Sequence, residues 1–187
     1  MQPVAVKIGS VQRNAMSEPA DKTREPGVEN GEYLAMQEMV RGSNIDVTTL
    51  LATDYLNHFN EIVMLLEMVP DMPEMLDDVK EWQPKSYQDH FRDSTIAEKE
   101  LAIEAYGHVP AIYREPFEQT VEQINSMIAS TVQRLEKNLA AGETDVLRAN
   151  AKNLSRLIQR LMDMASAIIH GSSKTLDQSV IDVLLGD

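Results

Sequence analysis

The last third of the chain carries the most regular pattern of apolar positions. One run recurs every three or four residues before Gly142 and comprises Phe117, Val121, Ile124, Ile128, Val132, Leu135 and Leu139. The spacing resumes after the glycine and continues to Gly171, through Val146 or Leu147, Ala151, Leu154, Ile158, Leu161, Ala165 and Ile168. Such spacing predicts two helices of about 25 residues, each roughly 38 Å long at 1.5 Å per residue. The short break between them makes the two helices antiparallel neighbours.

Each of these helices has a long apolar stripe that the other cannot fully cover. Helical stability in proteins comes mainly from packing of such a face, so the hairpin must pack on earlier helices or on a second copy. We therefore predict a homodimer formed through the long helical hairpin.

Shorter helical patterns precede the hairpin. One is expected from Glu32 to Gly42, and a longer one from a cap at Asn44 or Asp46 to Val69, where Pro70 stops it. Ser86 and Asp89 predict the start of a short helical segment, and Thr95-Ile-Ala-Glu98 is a capping box for a helix that ends at Gly107. The predicted fold is all-α. Its parts are a mobile arm over 1–29, a helical bundle over 30–170, a linker over 171–175 and a docking helix over 176–187.

Composition excludes several classes of function. The chain has 17 basic and 30 acidic residues and a net charge of -13, which disfavours binding to nucleic acid or anionic membranes. It has no cysteine, so disulfides, thiol nucleophiles and thiolate metal sites are excluded. No apolar stretch reaches the ~18 residues of a membrane span, and no secretory signal is apparent at the amino terminus. We expect a cytoplasmic protein without a cofactor.

The end of the sequence reads as a short amphipathic helix. Thr175 can cap it, and its apolar face would comprise Leu176, Val180, Ile181, Leu184 and Leu185. A helix this short is unstable alone in water, so it is expected to dock into a groove on its own bundle or on a partner.

The residues from Leu176 to Leu185 resemble the segment with which the flagellar switch protein FliM binds the response regulator CheY. Six positions match the family pattern: Leu176, Gln178, Ile181, Asp182, Leu184 and Leu185. Val183 replaces a residue that is commonly Ala, and Val180 stands where an acidic residue is common. The FliM segment is amino-terminal, but the chemotaxis phosphatase CheZ ends in a comparable CheY-binding helix after a linker. The resemblance implies that this chain is a signalling adaptor or regulator that binds a CheY-like receiver domain.

The sequence favours binding over catalysis. If the chain is an enzyme, the resemblance implies a phosphatase acting on the aspartyl phosphate of the receiver. CheZ-like chemistry uses an Asp four residues before a Gln, and the chain has no such pair. Glu115 and Gln119 have the spacing, with Pro116 between them, and Glu122-Gln-Ile-Asn125 imitates the Glu-x-x-Asn of the CheC and CheX phosphatases, which are α/β proteins.

Two other functions remain open: a carboxylate/histidine metal-binding bundle and a structural subunit of a larger assembly. His58 and Glu61 share a helix face with Asp54, His90 is near Asp93, and Glu104 is near His108. Di-iron bundles, however, use Glu-x-x-His on two helices, whereas this chain has one His-x-x-Glu in the reverse order.

Two further patterns have alternative interpretations. Arg148, Lys152, Arg156 and Arg160 recur every four residues and form a basic stripe, which could face the acidic stretch of residues 54–78, face water, or steer an acidic partner. Methionine recurs at helical spacing in the middle of the chain, at Met64, Met68, Met72 and Met75. We interpret this run first as adaptable core and second as a groove for an apolar partner.

Overall fold

The computed structural model describes residues 26–172, and it confirms the all-α fold. Seven α-helices follow one another in this range, with one short 3-10 helix at Thr53–Leu56. The α-helices are α1 Pro26–Met39, α2 Asn57–Met68, α3 Met75–Glu81, α4 Tyr87–Asp93, α5 Lys99–Tyr106, α6 Ala111–Ala140 and α7 Thr144–Ile169. Within residues 26–172 the only β-type pairing is an isolated bridge between Ile45 and Ala52.

The predicted antiparallel hairpin is α6 and α7, which pack along each other. Between them Gly142 has φ +69°, and the Glu143 N–H donates to the Asn138 carbonyl at 2.9 Å. This left-handed turn with a bond back across five residues is a common way to end a helix, and glycine adopts it without strain. The hairpin prediction is therefore correct at its turn.

The first helix of the hairpin is longer than predicted. α6 has 30 residues and begins at Ala111, so Pro116 lies inside it. Because Pro116 is the sixth residue of the helix, its missing N–H removes one backbone bond in the second turn. The Thr120 hydroxyl donates to the Pro116 carbonyl at 2.8 Å.

The shorter helices cover the other sides of the core. α2 packs against α7 and α3, and α4 packs against α5. The predicted start at Ser86 is confirmed, because its hydroxyl accepts the Asp89 N–H at 3.1 Å at the start of α4. α5 ends before Gly107, as expected. One apolar core runs through these elements; its largest fully buried side chains include Tyr55, Phe59, Phe91, Phe117, Leu66, Ile124, Leu135 and Leu154.

The prediction of one helix from Asn44 or Asp46 to Val69 is wrong for its first third. The Asp46 carboxylate accepts the N–H groups of Thr48 and Thr49 at 2.8 and 2.9 Å, which makes a turn rather than a helix cap. Leu50 follows with φ +61°, a conformation that ends any regular helix. The apolar residues 50 and 51 are buried in this turn, and α2 begins only at Asn57.

Two helix starts differ from the predictions. α1 begins at Pro26, inside the predicted arm. The capping box predicted at Thr95 and Glu98 does not form: Glu98 precedes α5 without capping it, and its carboxylate accepts the Asn44 N–H at 3.2 Å instead. A tertiary contact thus takes the carboxylate that the local motif would have used.

Among the helices of residues 26–172, none combines the length and apolar character that crossing a bilayer requires.

Candidate functional site

The predicted partner-binding residues lie outside the described part of the chain. They are Leu176, Gln178, Ile181, Asp182, Leu184 and Leu185. The predicted docking helix over 176–187 therefore stays a prediction.

The structure does define how α7 ends. Gly171 has φ +96°, and the N–H groups of Gly171 and Ser172 donate to the carbonyls of Ile168 and Ala167 at 2.9 Å each. The Thr49 hydroxyl, which is buried, donates to the Ile169 carbonyl at 2.5 Å. The last turn of α7 is thus closed by its own backbone and held to the 42–52 segment.

The predicted basic stripe lies on the exposed face of α7. Arg148 pairs with Asp71 at 2.7 Å and also donates to the Pro70 carbonyl at 3.4 Å, so one end of the stripe meets the acidic stretch. Within residues 26–172, no ion pair forms at Lys152, Arg156 or Arg160, and all three are exposed. The stripe consequently presents three uncompensated cations to solvent on a protein of strongly negative net charge.

Another residue of the acidic stretch contacts α7 through hydrogen bonds rather than through an ion pair. Glu67 on α2 accepts from the Ser155 hydroxyl at 2.9 Å and from the Gln159 amide at 3.4 Å. This contact fixes α2 against α7 beside the stripe, because Ser155 and Gln159 each precede a stripe residue by one position.

His58, one of the histidines proposed as metal ligands, has structural partners instead. His58 is buried, and its Nε2 accepts the Lys85 N–H at 3.1 Å. Its ring stacks on Trp82 with the ring centroids 4.6 Å apart. Burial first, and then the nearby positive charges of His90 and Lys85, lower the pKa of His58 to about 4. This histidine is therefore neutral near pH 7 and acts as a hydrogen-bond acceptor inside the fold.

His90 lies beside His58, with ring centroids 6.0 Å apart. Burial also lowers its pKa, and its Nε2 is buried without a hydrogen-bond partner. Across residues 26–172, no three His, Asp or Glu side chains come close enough to hold a metal ion. The groupings around Asp54 and Glu61, at Asp93, and at Glu104 and His108 therefore do not converge on one site.

The two candidate phosphatase patterns both lie on α6. Glu115 and Gln119 are exposed, and Glu122 is exposed beside the half-buried Asn125. The Asn125 Oδ1 is buried and has no hydrogen-bond partner. The described residues form an all-α fold, whereas CheC and CheX are α/β proteins, so the match has no support from the fold.

The methionine run belongs to the core only in part: Met75 packs against it, whereas two of the four side chains are exposed. Met64 is 56% exposed and Met72 is 37% exposed, while Met68 and Met75 are half-buried. The spacing 64, 68, 72 and 75 assumes one continuous helix, but α2 ends at Met68 and α3 begins at Met75. The turns around Pro70 and Pro73 break the register, which is why the period misled the prediction.

Sequence reasoning missed the aromatic cluster around Tyr87. The Tyr87 hydroxyl is buried and accepts the Ala52 N–H at 2.8 Å, and the Tyr55 hydroxyl donates to the Lys85 carbonyl at 2.8 Å. The Tyr87 ring stacks on Tyr106 with centroids 4.5 Å apart. The only sequence signal was the concentration of Tyr, Phe, His and Trp between residues 55 and 117, without any period that would assign partners.

Comparison with known proteins identifies no relative, because no family model, curated protein or solved structure matches the chain.

Proposed function

We propose that this protein is a signalling adaptor that binds a CheY-like receiver domain through residues 176–185. The observation that carries the proposal is the match of six residues to the FliM pattern. Leu176, Ile181, Leu184 and Leu185 would fill an apolar groove on the receiver. Gln178 and Asp182 would set the register through polar contacts, as in other helix-in-groove complexes.

The basic stripe on α7 supports the same partner. Receiver domains cluster acidic side chains around their phosphorylation site, and Lys152, Arg156 and Arg160 are exposed without an ion pair in the described range. Complementary charge raises association rates more than it raises affinity. We therefore assign the docking energy to the tail and a steering contribution to the stripe.

Two neighbouring substitutions test the tail. Ile181→Asp places a charge on an apolar anchor, and we expect it to weaken binding by about 100-fold or more, as loss of a central anchor commonly does. Val180→Asp makes the same change one residue earlier, where the FliM pattern commonly has an acidic residue, and it should retain binding. Titration calorimetry of the full-length variants against a receiver, with and without beryllofluoride as an aspartyl-phosphate mimic, measures both.

Equal binding by the parent and Ile181→Asp would remove the proposal. Equal loss in both variants would show that added charge, rather than the anchor position, is responsible, and would also contradict it.

The phosphorylation state of the receiver is the second readout. The rate of phosphate loss from the receiver should be unchanged by the protein, because the chain has no Asp-x-x-x-Gln pair. An accelerated rate would show that the protein is a phosphatase rather than an adaptor. Mutagenesis would then begin with Glu122 and Asn125.

A structural subunit is distinguished by the same variants. A stable complex with other proteins that survives Ile181→Asp would favour assembly through the bundle. The metal-binding alternative has less support, since no cluster of ligands forms in the described range.

A further inference from the structure

A long surface groove lies between α6 and the chain segment that runs from Pro73 to Tyr87. Three adjoining cavities form it, with volumes of about 260, 310 and 380 Å³. Asn125 lines both the first and the second cavity, and Lys80 lines both the second and the third. On α6 the groove extends from Phe117 to Ala140, which is about 35 Å of helix at 1.5 Å per residue. We call this surface the α6 groove.

The residues on the floor of the α6 groove are spaced like the core positions of a coiled coil, and we call them the seam of α6. The residues that α6 contributes to it include Val121, Asn125, Ile128, Val132 and Leu139. Their steps of four, three, four and seven keep them on one helix face, as positions that receive a second helix do. Val121 and Val132 are only half-buried and Leu139 is 39% exposed, so the bundle does not complete their burial.

The walls of the groove are strongly acidic. Five carboxylates line its cavities: Glu74, Asp77, Glu118, Glu122 and Glu136. Lys80 is the one basic side chain among the lining residues, and it is already paired with Asp77 at 2.6 Å and with Glu136 at 3.5 Å. An occupant must therefore bring positive charge to balance the walls.

A buried acceptor in the seam lacks a donor. The Oδ1 atom of Asn125 is one of three buried side-chain atoms in the described range without a hydrogen-bond partner. An unsatisfied buried polar atom is costly, and asparagine in a helical seam usually bonds to a polar group of the facing helix. A donor carried by an occupant would satisfy this atom.

We propose that the α6 groove binds a basic amphipathic helix of another protein. Its apolar side chains would pack on the seam of α6, and its Lys or Arg side chains would pair with the carboxylates of the walls. The proposal does not depend on the receiver interaction.

Charge disfavours two other occupants. A second copy that faced this groove with its own would bring the two acidic walls together. The chain's own segment 176–187 has three Asp and no basic residue, so it would meet the same repulsion. Like charges that face each other across an interface oppose association.

The test uses two synthetic helices of about 24 residues, long enough to follow the groove. Both have leucine at the seam positions; one has lysine and the other glutamate at the flanking positions. Trp82 is the only tryptophan of the chain, it is half-buried, and it lines the second cavity, so its fluorescence reports occupancy. We expect the lysine peptide to bind at least about tenfold more tightly than the glutamate peptide.

Paired charge reversals locate the contact. Glu118→Lys with Glu122→Lys should weaken binding of the lysine peptide by about tenfold or more, since both carboxylates lie at the first cavity. Glu61→Lys with Glu100→Lys changes the net charge equally at exposed positions outside the groove and should leave the affinity within about threefold. Circular dichroism confirms that each variant is folded.

Three results would overturn the proposal. A lysine peptide with serine at the seam positions that binds as tightly would show attraction to acidic surface alone. A concentration-dependent change of Trp82 fluorescence without peptide would assign the groove to a second copy. A rise in peptide affinity on Ile181→Asp, or on Lys7→Glu with Arg13→Glu, would assign it to a segment of the chain itself.

Discussion

The α6–α7 hairpin and the segment from Gly42 to Pro110 are stabilised by different kinds of contact. In the hairpin, buried residues recur with helical period along 30-residue and 26-residue helices. In the segment, short helices are joined by turns, and specific polar atoms such as the Tyr87 hydroxyl and His58 Nε2 hold the backbone. The hairpin is thus stabilised by buried apolar surface to which many residues contribute, whereas the segment is stabilised by a few individual hydrogen bonds.

This difference predicts how each region responds to mutation. Loss of apolar volume should dominate in the hairpin, and loss of single donors or acceptors should dominate in the segment. Four substitutions test the contrast, each by denaturant-induced unfolding of the full chain.

The largest effect is expected at Ile158 on α7, which is fully buried. Ile158→Ala removes three carbon atoms from the core and leaves a cavity, so the free energy of unfolding should fall by about 2–5 kcal/mol. Arg156→Ala changes an exposed residue two positions earlier and should stay within about 0.5 kcal/mol. Similar losses in the two variants would show that α7 is not packed as described.

Acid should destabilise the segment through His58. Its pKa is about 4 in the folded protein, below the ordinary value of 6.5, so the unfolded chain binds the proton more readily. The stabilising contribution is complete above pH 6.5, falls as the pH drops from 6.5 towards 4, and is lost below that. By pH 4 the loss approaches about 3 kcal/mol, from 1.36 kcal/mol per unit of pKa difference.

His58→Gln keeps an acceptor for the Lys85 N–H but removes this titration. The difference in unfolding free energy between pH 7 and pH 4.5 should therefore be smaller in the variant than in the parent. Trp82 fluorescence gives a local readout, because its ring stacks on His58. An unchanged pH dependence would mean that His58 does not remain neutral in the fold.

The sequence predicted the structure of the hairpin better than that of the segment from Gly42 to Pro110. The spacing of Leu147, Leu154 and Leu161 was sufficient to predict α7. Many residues contribute to the buried face of a long helix, so the pattern recurs along the sequence. The turn at Asp46 was not predictable in this way. A single short acidic side chain can cap a helix or close a turn, and the choice depends on Ile45, Leu50 and Thr49 finding tertiary partners.

The candidate surfaces show the same limit. The basic stripe was visible as a four-residue repeat on one helix, and its four side chains are exposed, although Arg148 is also paired with Asp71. The α6 groove was not visible, because its opposite wall comes from the non-periodic stretch that includes Trp82 and Pro84. Sequence period indicates which face of a helix is apolar, but it does not show whether a neighbouring element covers it.

The next prediction concerns one hydroxyl group in the segment from Gly42 to Pro110, that of Tyr87. Tyr87→Phe keeps the buried ring but leaves the Ala52 N–H without its acceptor, so unfolding should become easier by about 1–3 kcal/mol. Tyr113→Phe is the matched control, since that residue is half-buried, and it should cost less than about 0.5 kcal/mol. If the two variants are equally stable, the Ala52–Tyr87 bond does not contribute to holding the turn.

The smallest effect concerns the turn of the hairpin. Gly142 has φ +69° with open space around the position of a Cβ atom, so Gly142→Ala introduces backbone strain without a clash. The left-handed conformation costs a non-glycine residue about 1–2 kcal/mol, partly offset by the lower entropy of the unfolded chain, which leaves a net loss of about 1 kcal/mol. Gly31→Ala in α1 has the same open space and no positive φ, and it should stabilise the protein by up to about 1 kcal/mol because alanine favours helix. Changes of opposite sign in the free energy of unfolding for these two Gly→Ala substitutions would establish that the stability of the hairpin depends on the backbone conformation of Gly142 as well as on the apolar surface buried between its helices.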